Sequence, residues 1–263
     1  MNKRASIILI SLLWICINCG EKDEKKAFTE LTIEIDTVIC TDWGNVIFDE
    51  YILENNVWGK GNITNYLQCI FYKNTEEQNE FGWEWTWPSL GNNVKAYPEI
   101  IFGHKPWSST STTHSLPLKI SDVQSVNITL DSDLTATGSY NLAYDIWLTS
   151  TNIPSENVIS AEIMIWLTNS QLMPAGEKFE TVIIDEMSYD LYKHTFPGWE
   201  YLAFLPHDPT TTTTIRLEQF LNALINSHLI EETEFLVSIE FGNEIVDGSG
   251  NLKIHQYEIL VNP

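Results

Sequence analysis

Short runs with the composition and periodicity of β-strands recur along almost the whole chain. They are rich in Val, Ile, Thr, Tyr and Trp, and turn-forming clusters such as Gly91-Asn92-Asn93 separate them. The runs cover residues 31–40, 51–58, 67–72, 81–87, 99–102, 125–130, 140–148, 159–167, 180–184, 187–193, 199–205, 235–241 and 252–261. Many short strands with turn signals between them predict an all-β sandwich.

One segment departs from this pattern. Residues 216–230 carry apolar side chains at helical spacing, and we expect an amphipathic helix there, on the outer face of the sandwich. These apolar residues are Leu217, Phe220, Leu221, Leu224, Ile225 and Leu229. The chain shows neither an internal repeat nor a second domain, so we expect residues 31–263 to form a single domain.

The charge of the chain restricts its partners. The formal net charge is −22 at pH 7. A field of this sign repels nucleic acid and other anionic polymers, whereas a neutral sugar polymer is not affected. We therefore expect no nucleic-acid partner.

The N-terminus has the features of an export signal. A basic start, Met1-Asn2-Lys3-Arg4, precedes an apolar run over 5–17. The following Cys16-Ile17-Asn18-Cys19-Gly20 resembles a bacterial lipoprotein signal. We expect a signal peptide over 1–18, a lipidated Cys19, a flexible charged tether over 19–30 and a location at the cell surface or in the periplasm. Ordinary secretion is the alternative, and a lipid anchor is the only membrane contact we expect.

The cysteines and histidines limit the chemistry. Behind the signal only Cys40 and Cys69 remain besides Cys19, and two cysteines in an exported chain predict one disulfide. The six histidines form no HxH or HExxH spacing, so we expect no metal site and no cofactor.

The run over 160–167 contains a carboxylate where a strand would favour an apolar or neutral residue. Alternation places Ile163, Ile165 and Leu167 on one face of the strand, and Glu162 with Met164 and Trp166 on the other. An isolated charge on a half-apolar surface is costly unless it is paired or used. Glu162 is therefore either a reactive group or a solvated residue on an edge strand.

Tryptophans indicate a ligand surface. Nine of them fall largely on or beside the predicted strands, and an exposed indole stacks well on the apolar face of a pyranose ring. Core packing accounts for several of them, and we expect about a third to face a cleft.

Five ordered stretches together resemble glycoside hydrolase family 12, the β-jelly-roll endoglucanases and xyloglucanases, and most closely its bacterial members of the thermophile type. The resemblance implies two curved antiparallel sheets in a jelly roll. The stretches are 40–43 with 51–59 and 68–69, 94–103 with 105–107, 141–148, 162–166 with 174–176, and 240–244.

The resemblance assigns roles to three carboxylates. Glu162 matches the nucleophile of the family, Glu244 its general acid/base and Asp145 an aspartate that hydrogen-bonds the nucleophile. Alternation independently places Asp145 on the cleft side of its strand, and a role as a buried structural cap is the alternative. We expect Asp145 and Glu162 to titrate as a coupled pair.

The resemblance also implies substrate contacts. Asn56 and Trp58 would bind glucosyl units on the non-reducing side, and Met164 and Trp166 would line the floor beside the nucleophile. Trp199 and Glu99 are either substrate-binding or structural.

The resulting hypothesis is an endo-acting β-1,4-glucanase that works by double displacement, as a monomer, on a β-glucan polymer. Cellulose, mixed-linkage glucan and xyloglucan all remain open as preferred substrates. A non-catalytic β-glucan-binding lipoprotein on the same fold is the alternative, and a purely structural surface lipoprotein is a third possibility.

Overall fold

The computed structural model describes residues 35–74 and 79–262, and sixteen β-strands, one α-helix and two short 3-10 helices lie within them. The signal peptide, Cys19 and the tether fall outside the described residues. The strands are β1 (Ile35–Ile39), β2 (Asn45–Phe48), β3 (Tyr51–Glu54), β4 (Leu67–Asn74), β5 (Asn79–Trp87), β6 (Glu99–Gly103), β7 (Leu118–Lys119), β8 (Ser125–Ala136), β9 (Tyr140–Thr149), β10 (Ile159–Ser170), β11 (Glu177–Ile184), β12 (Met187–Phe196), β13 (Trp199–Pro206), β14 (Thr212–Arg216), β15 (Phe235–Gly242) and β16 (Gly248–Asn262). The helix, α1, spans Leu217–Asn226, and the 3-10 helices span Ile120–Asp122 and Glu156–Val158.

The strands form two sheets, as the sequence pattern predicts. The smaller sheet has the spatial order β1-β4-β5-β16-β8-β14. The larger sheet has the order β11-β12-β13-β10-β9-β15-β6-β3-β2, and β7 pairs with β15. Strand pairs in the described residues are antiparallel except β10 with β13, which run parallel. The expectation of purely antiparallel sheets is therefore correct apart from this one pair.

The core lies between the two sheets. Trp83, Trp85 and Trp87 alternate along β5 with exposed Glu84 and Thr86, and all three indoles are buried. They pack with the inward residues of β9 and β10, among them Leu142, Tyr144, Ile146, Ile163 and Ile165. This cluster buries one face of the larger sheet. We call the opposite face of that sheet the site face.

Helix α1 is shorter than predicted. His228 adopts a positive φ of 57°, and the backbone N–H of Leu229 bonds back to the carbonyl of Leu224 at 2.9 Å, which ends the helix early. Phe220 packs against Tyr189 and Phe204 of the larger sheet. The apolar stripe of the helix is therefore part of the core between the sheets. The expectation that the helix only covers an outer face is corrected.

The parallel pairing of β10 with β13 requires a connection that crosses the sheet, and in this structure it crosses over the site face. Residues 171–176, which we call the strap, join β10 to β11. Leu172 and Ala175 of the strap pack against a cluster on the site face, which consists of Ala143, Met164, Trp166, Tyr201 and Ala203. The strap thus covers part of the surface beside Glu162.

The disulfide predicted from the sequence is confirmed. Cys40, at the end of β1, is bonded to Cys69 of β4. The described residues belong to one compact unit and contain no helix that is long and apolar enough to cross a membrane.

Candidate active site

Backbone register brings the polar residues of the site face into rows across neighbouring strands, which lie about 4.8 Å apart. The row on which Asp145 lies contains Ile101, Glu240, Asp145, Met164 and Ala203. The next row contains Gly103, Ser238, Trp147, Glu162 and Tyr201. Asp145 and Glu162 are therefore diagonal neighbours on adjacent strands, as alternation predicts.

Glu162 is partly exposed and hydrogen-bonded to Trp199. The indole Nε1 of Trp199 donates to Glu162 Oε2 at 2.8 Å. Burial raises the pKa of Glu162, the indole N–H lowers it and the Glu244 carboxylate raises it further. The indole N–H thus favours the charged form of Glu162, which nucleophilic attack requires.

Trp199 is itself held by neighbouring rings. Its ring centroid lies 5.9 Å from that of Trp147 and 5.7 Å from that of Phe196. Trp199 was expected to be either substrate-binding or structural. The geometry shows a direct hydrogen bond from its indole to the carboxylate of Glu162.

Asp145 is buried at 8% exposure, and its Oδ1 has no hydrogen-bond partner. Burial raises its pKa well above the ordinary value, and the nearby Glu162 and Glu240 raise it further. The protonated form of Asp145 is therefore favoured beside Glu162. The expected hydrogen bond from Asp145 to Glu162 is not found in this structure, in which the side-chain partner of Glu162 is Trp199.

Glu244 follows β15, at the end of the site face, and is partly exposed. The Asn141 side chain contacts both the carboxyl group and the backbone of Glu244. Its Nδ2 donates to Glu244 Oε2 at 2.5 Å, and its Oδ1 accepts the Glu244 backbone N–H at 2.8 Å. Burial raises the pKa of Glu244 to about 7, and the bond from Asn141 opposes this rise. Glu244 is thus close to half-protonated at neutral pH, as a group that both donates and accepts a proton should be.

Asn56 and Glu99 lie deeper than expected for substrate contacts. Asn56 is 4% exposed and Glu99 is fully buried. Asn56 Nδ2 donates to Glu99 Oε1 at 2.6 Å, and Asn56 Oδ1 accepts the backbone N–H of Trp58 at 2.9 Å. The expectation that Asn56 binds sugar directly is therefore corrected, since its amide nitrogen is engaged by Glu99 and its amide oxygen by the backbone of Trp58. Of the two roles left open for Glu99, the structure favours the structural one.

Met164 and Trp166 share the correct face but are not open to a ligand. They are 2% and 1% exposed, because Leu172 and Ala175 of the strap pack on their cluster. The expectation that they line an open floor is wrong for this structure.

Exposed indoles lie elsewhere on the chain. Of the nine tryptophans in the described residues, Trp43, Trp58 and Trp107 are 49%, 59% and 48% exposed, and Trp199 is partly buried. The remaining five are at most 5% exposed. A third of these indoles are therefore exposed, and that they face a cleft stays a prediction.

The sequence interpretation missed two site residues, Asn141 and Lys105. Asn141 could have been found from its alternation with Asp145 along β9. Lys105 follows β6 and contacts Glu99 at 2.5 Å, and its only signal was its place in the stretch 105–107. The described residues hold no cluster of His, Cys, Asp and Glu suited to a metal ion.

Comparisons with known proteins agree with this arrangement. The model of glycosyl hydrolase family 12 matches residues 49–262. Endoglucanase S of Pectobacterium parmentieri is 33% identical over 221 residues, which are 81% of this chain and 82% of that protein. A probable xyloglucan-specific endo-β-1,4-glucanase A of Aspergillus terreus is 26% identical, over 84% of this chain and 86% of that protein.

Solved structures show the same fold. A native family 12 xyloglucanase from Bacillus licheniformis superposes with a TM-score of 0.80 at 32% identity, over 86% of this chain and 100% of that one. Endoglucanase cel12A from Rhodothermus marinus superposes with a TM-score of 0.74 at 26% identity, over 86% of this chain and 99% of that one.

Proposed function

Because the chain belongs to glycosyl hydrolase family 12, we propose that Glu162 and Glu244 carry its reaction, the retaining hydrolysis of β-1,4-glucosidic bonds. The chain is an endo-acting β-1,4-glucanase. The observation that supports the two roles is that both carboxyl groups are partly exposed on the site face and differ in their partners. Glu162 accepts an indole N–H, and Glu244 is held by an amide with its pKa near 7.

The first step forms a glycosyl-enzyme. A carboxylate oxygen of Glu162 bonds to the anomeric carbon while the glycosidic C–O bond breaks, and Glu244 transfers its proton to the departing oxygen. Trp199 holds Oε2 of Glu162, which leaves the other oxygen for attack.

The second step releases the sugar. Glu244, now ionised, takes a proton from water, and the water oxygen bonds to the anomeric carbon while the ester bond to Glu162 breaks. Two inversions give net retention. This mechanism requires the two carboxyl groups to lie roughly 5 to 5.5 Å apart in the complex with substrate.

Removing the nucleophile tests these roles. Glu162→Ala should abolish hydrolysis, and added azide should restore turnover and give a glycosyl azide of inverted configuration. The exposed Glu258→Ala on β16 serves as the control and should behave as the wild type. Hydrolysis at wild-type rate by Glu162→Ala would disprove the role of Glu162.

The substrate class is a β-1,4-glucan polymer, and the relatives divide between endoglucanases and xyloglucan-specific enzymes. Digestion of cellulose, mixed-linkage glucan and xyloglucan by the wild type and by Glu162→Gln, with product sizes followed, ranks the three. A non-catalytic glucan binder would not need two carboxylates with different hydrogen-bond partners on one face, so we favour the enzyme.

We also propose that the chain is exported, lipidated at Cys19 and active as a membrane-anchored monomer. The support is the basic start, the apolar run and the cysteine that precedes a charged segment. Cys19→Ser should abolish the incorporation of labelled palmitate and move the protein to the soluble fraction. Labelling that persists in this variant would refute lipidation at Cys19.

A further inference from the structure

Lys105 lies between two buried carboxylates of the site face. Its Nζ is 2.5 Å from Glu99 Oε1 and 3.2 Å from Glu240 Oε2. The Lys105 side chain is 15% exposed, and those of Glu99 and Glu240 are 0% and 2% exposed. Charges removed from water to this extent are tolerated when they are paired. Lys105 therefore ties the loop after β6 to the floor of the site.

Carboxyl groups crowd this part of the sheet. Glu54 lies opposite Glu99 on the neighbouring strand, and Asp145 lies opposite Glu240. Burial and the Glu99 carboxylate together raise the pKa of Glu54 to about 7, against the opposing effect of Lys105. In the described part of the chain, Lys105 is the only basic side chain that forms an ion pair with these carboxylates. The compensation of their charge thus depends on a single residue.

The contact with Glu99 extends to an exposed ring. The same Oε1 that binds Lys105 also accepts Asn56 Nδ2 at 2.6 Å. Asn56 Oδ1 accepts the backbone N–H of Trp58 at 2.9 Å, and the Trp58 indole is 59% exposed. Three successive polar contacts therefore connect Lys105 to the backbone of Trp58, whose indole lies at the surface.

We propose that Lys105 is a positioning residue for substrate binding, which acts through Glu99 and Asn56 to hold the Trp58 indole where it stacks on a glucosyl unit. This inference rests on the proposed function. Lys105 lies below the surface and orders the side chains above it. If the hydrogen-bonded chain loses its charged end, Asn56 loses its fixed partner and Trp58 its fixed backbone.

Steady-state kinetics on a soluble β-1,4-glucan test the proposal. Lys105→Met, which removes the charge and keeps the length, should raise KM about tenfold and leave kcat within about twofold of the wild type. Lys105→Arg should recover part of the affinity. In the Trp58→Ala background the same Lys105→Met change should have no further effect on KM, because residues that act through one another are not additive.

A matched control separates this role from the loss of any lysine. Lys253 forms an ion pair with Glu80 at 3.1 Å on the smaller sheet, and Lys253→Met should leave both kinetic constants unchanged. Circular dichroism checks folding. If Lys105→Met does not fold, Glu99→Gln repeats the test from the other end of the contact.

Two results would overturn the proposal: an unchanged KM in folded Lys105→Met, or an equal rise in KM with and without Trp58. Failure of the wild type and of Lys253→Met to hydrolyse any glucan would instead refute the proposed function, so the two failures are distinguishable.

Discussion

The Asn141 side chain makes two hydrogen bonds to Glu244, 103 residues away in sequence: it donates to the Glu244 carboxyl group and accepts the Glu244 backbone N–H. This double contact fixes both the rotation of the Glu244 carboxyl and the backbone that carries it. It also stabilises the charged form of Glu244 against the effect of burial.

Replacing Asn141 should therefore alter the pH dependence of activity. Asn141→Ala removes a donor that favours the Glu244 carboxylate, so the pKa of Glu244 rises above about 7. Because Glu244 must be protonated in its proposed role as the acid, the alkaline limb of the kcat/KM pH profile should move to higher pH. We also expect kcat to fall about tenfold, since the carboxyl group is no longer oriented. An alkaline limb that stays in place would contradict this role.

Trp199→Phe should have the complementary effect. The variant keeps an aromatic ring but loses the N–H that donates to Glu162, so the pKa of Glu162 rises. Because Glu162 must be ionised in its proposed role as the nucleophile, the acid limb of the kcat/KM pH profile should move to higher pH. One hydrogen bond to a charged group contributes about 1.5–3 kcal/mol, which corresponds to a fall in kcat of roughly 10- to 100-fold.

Phe196→Leu provides the comparison, because it removes a ring that packs against Trp199 and leaves the indole donor in place. The acid limb of the kcat/KM pH profile of Phe196→Leu should coincide with that of the wild type. A shift as large as that of Trp199→Phe would attribute the effect to packing.

The strap should be sensitive to a single methyl group. Gly176 has φ of 81°, and a Cβ there would lie 2.0 Å from the Lys193 carbonyl oxygen. Gly176→Ala therefore combines backbone strain with a clash, and we expect a loss of about 3 kcal/mol in the free energy of unfolding, together with lower activity. Denaturant unfolding and kinetics measure both.

Gly91→Ala separates the two causes. Gly91 has φ of 69° with nothing within 4 Å of the added Cβ, so only strain acts, and the expected cost is about 1 kcal/mol with normal activity. Equal losses in the two variants would show that the contact with β12 is unimportant.

Removal of the disulfide should lower stability without changing the chemistry. Cys40 and Cys69 are 29 residues apart in sequence, and a loop of this size contributes about 3 kcal/mol. Cys40→Ser with Cys69→Ser should unfold at a lower guanidinium concentration and keep the wild-type kcat at 25 °C. Reduction of the wild type should reproduce the shift, and an unchanged midpoint would show that the bond does not stabilise the fold.

Strand alternation predicted the faces of the site strands correctly. Asp145 and Glu162 both lie on the site face because side chains along β9 and β10 alternate, which depends only on local backbone geometry. Burial above that face was not predictable in the same way. Met164 and Trp166 are covered because a six-residue connection crosses the sheet, and no local pattern encodes that path.

The polar partners were harder still to predict. Asn141 and Glu244 meet through the pairing of β9 with β15, and Lys105 reaches Glu240 through the pairing of β6 with β15. Such contacts depend on strand order, which periodicity does not specify. Helix α1 ended early for a similar reason, since Leu229 continues the apolar spacing and packs on the core from outside the helix.

Strand β9 is paired on one side with β10, which carries Glu162, and on the other with β15, which leads to Glu244. The distance between Glu162 and Glu244 is therefore determined by main-chain hydrogen bonds between strands and not by side-chain packing. Trp43, Trp58 and Trp107 lie outside the strands. Over evolution, substitutions and insertions in these connections can adapt the enzyme to new glucans while the hydrolytic step is inherited unchanged.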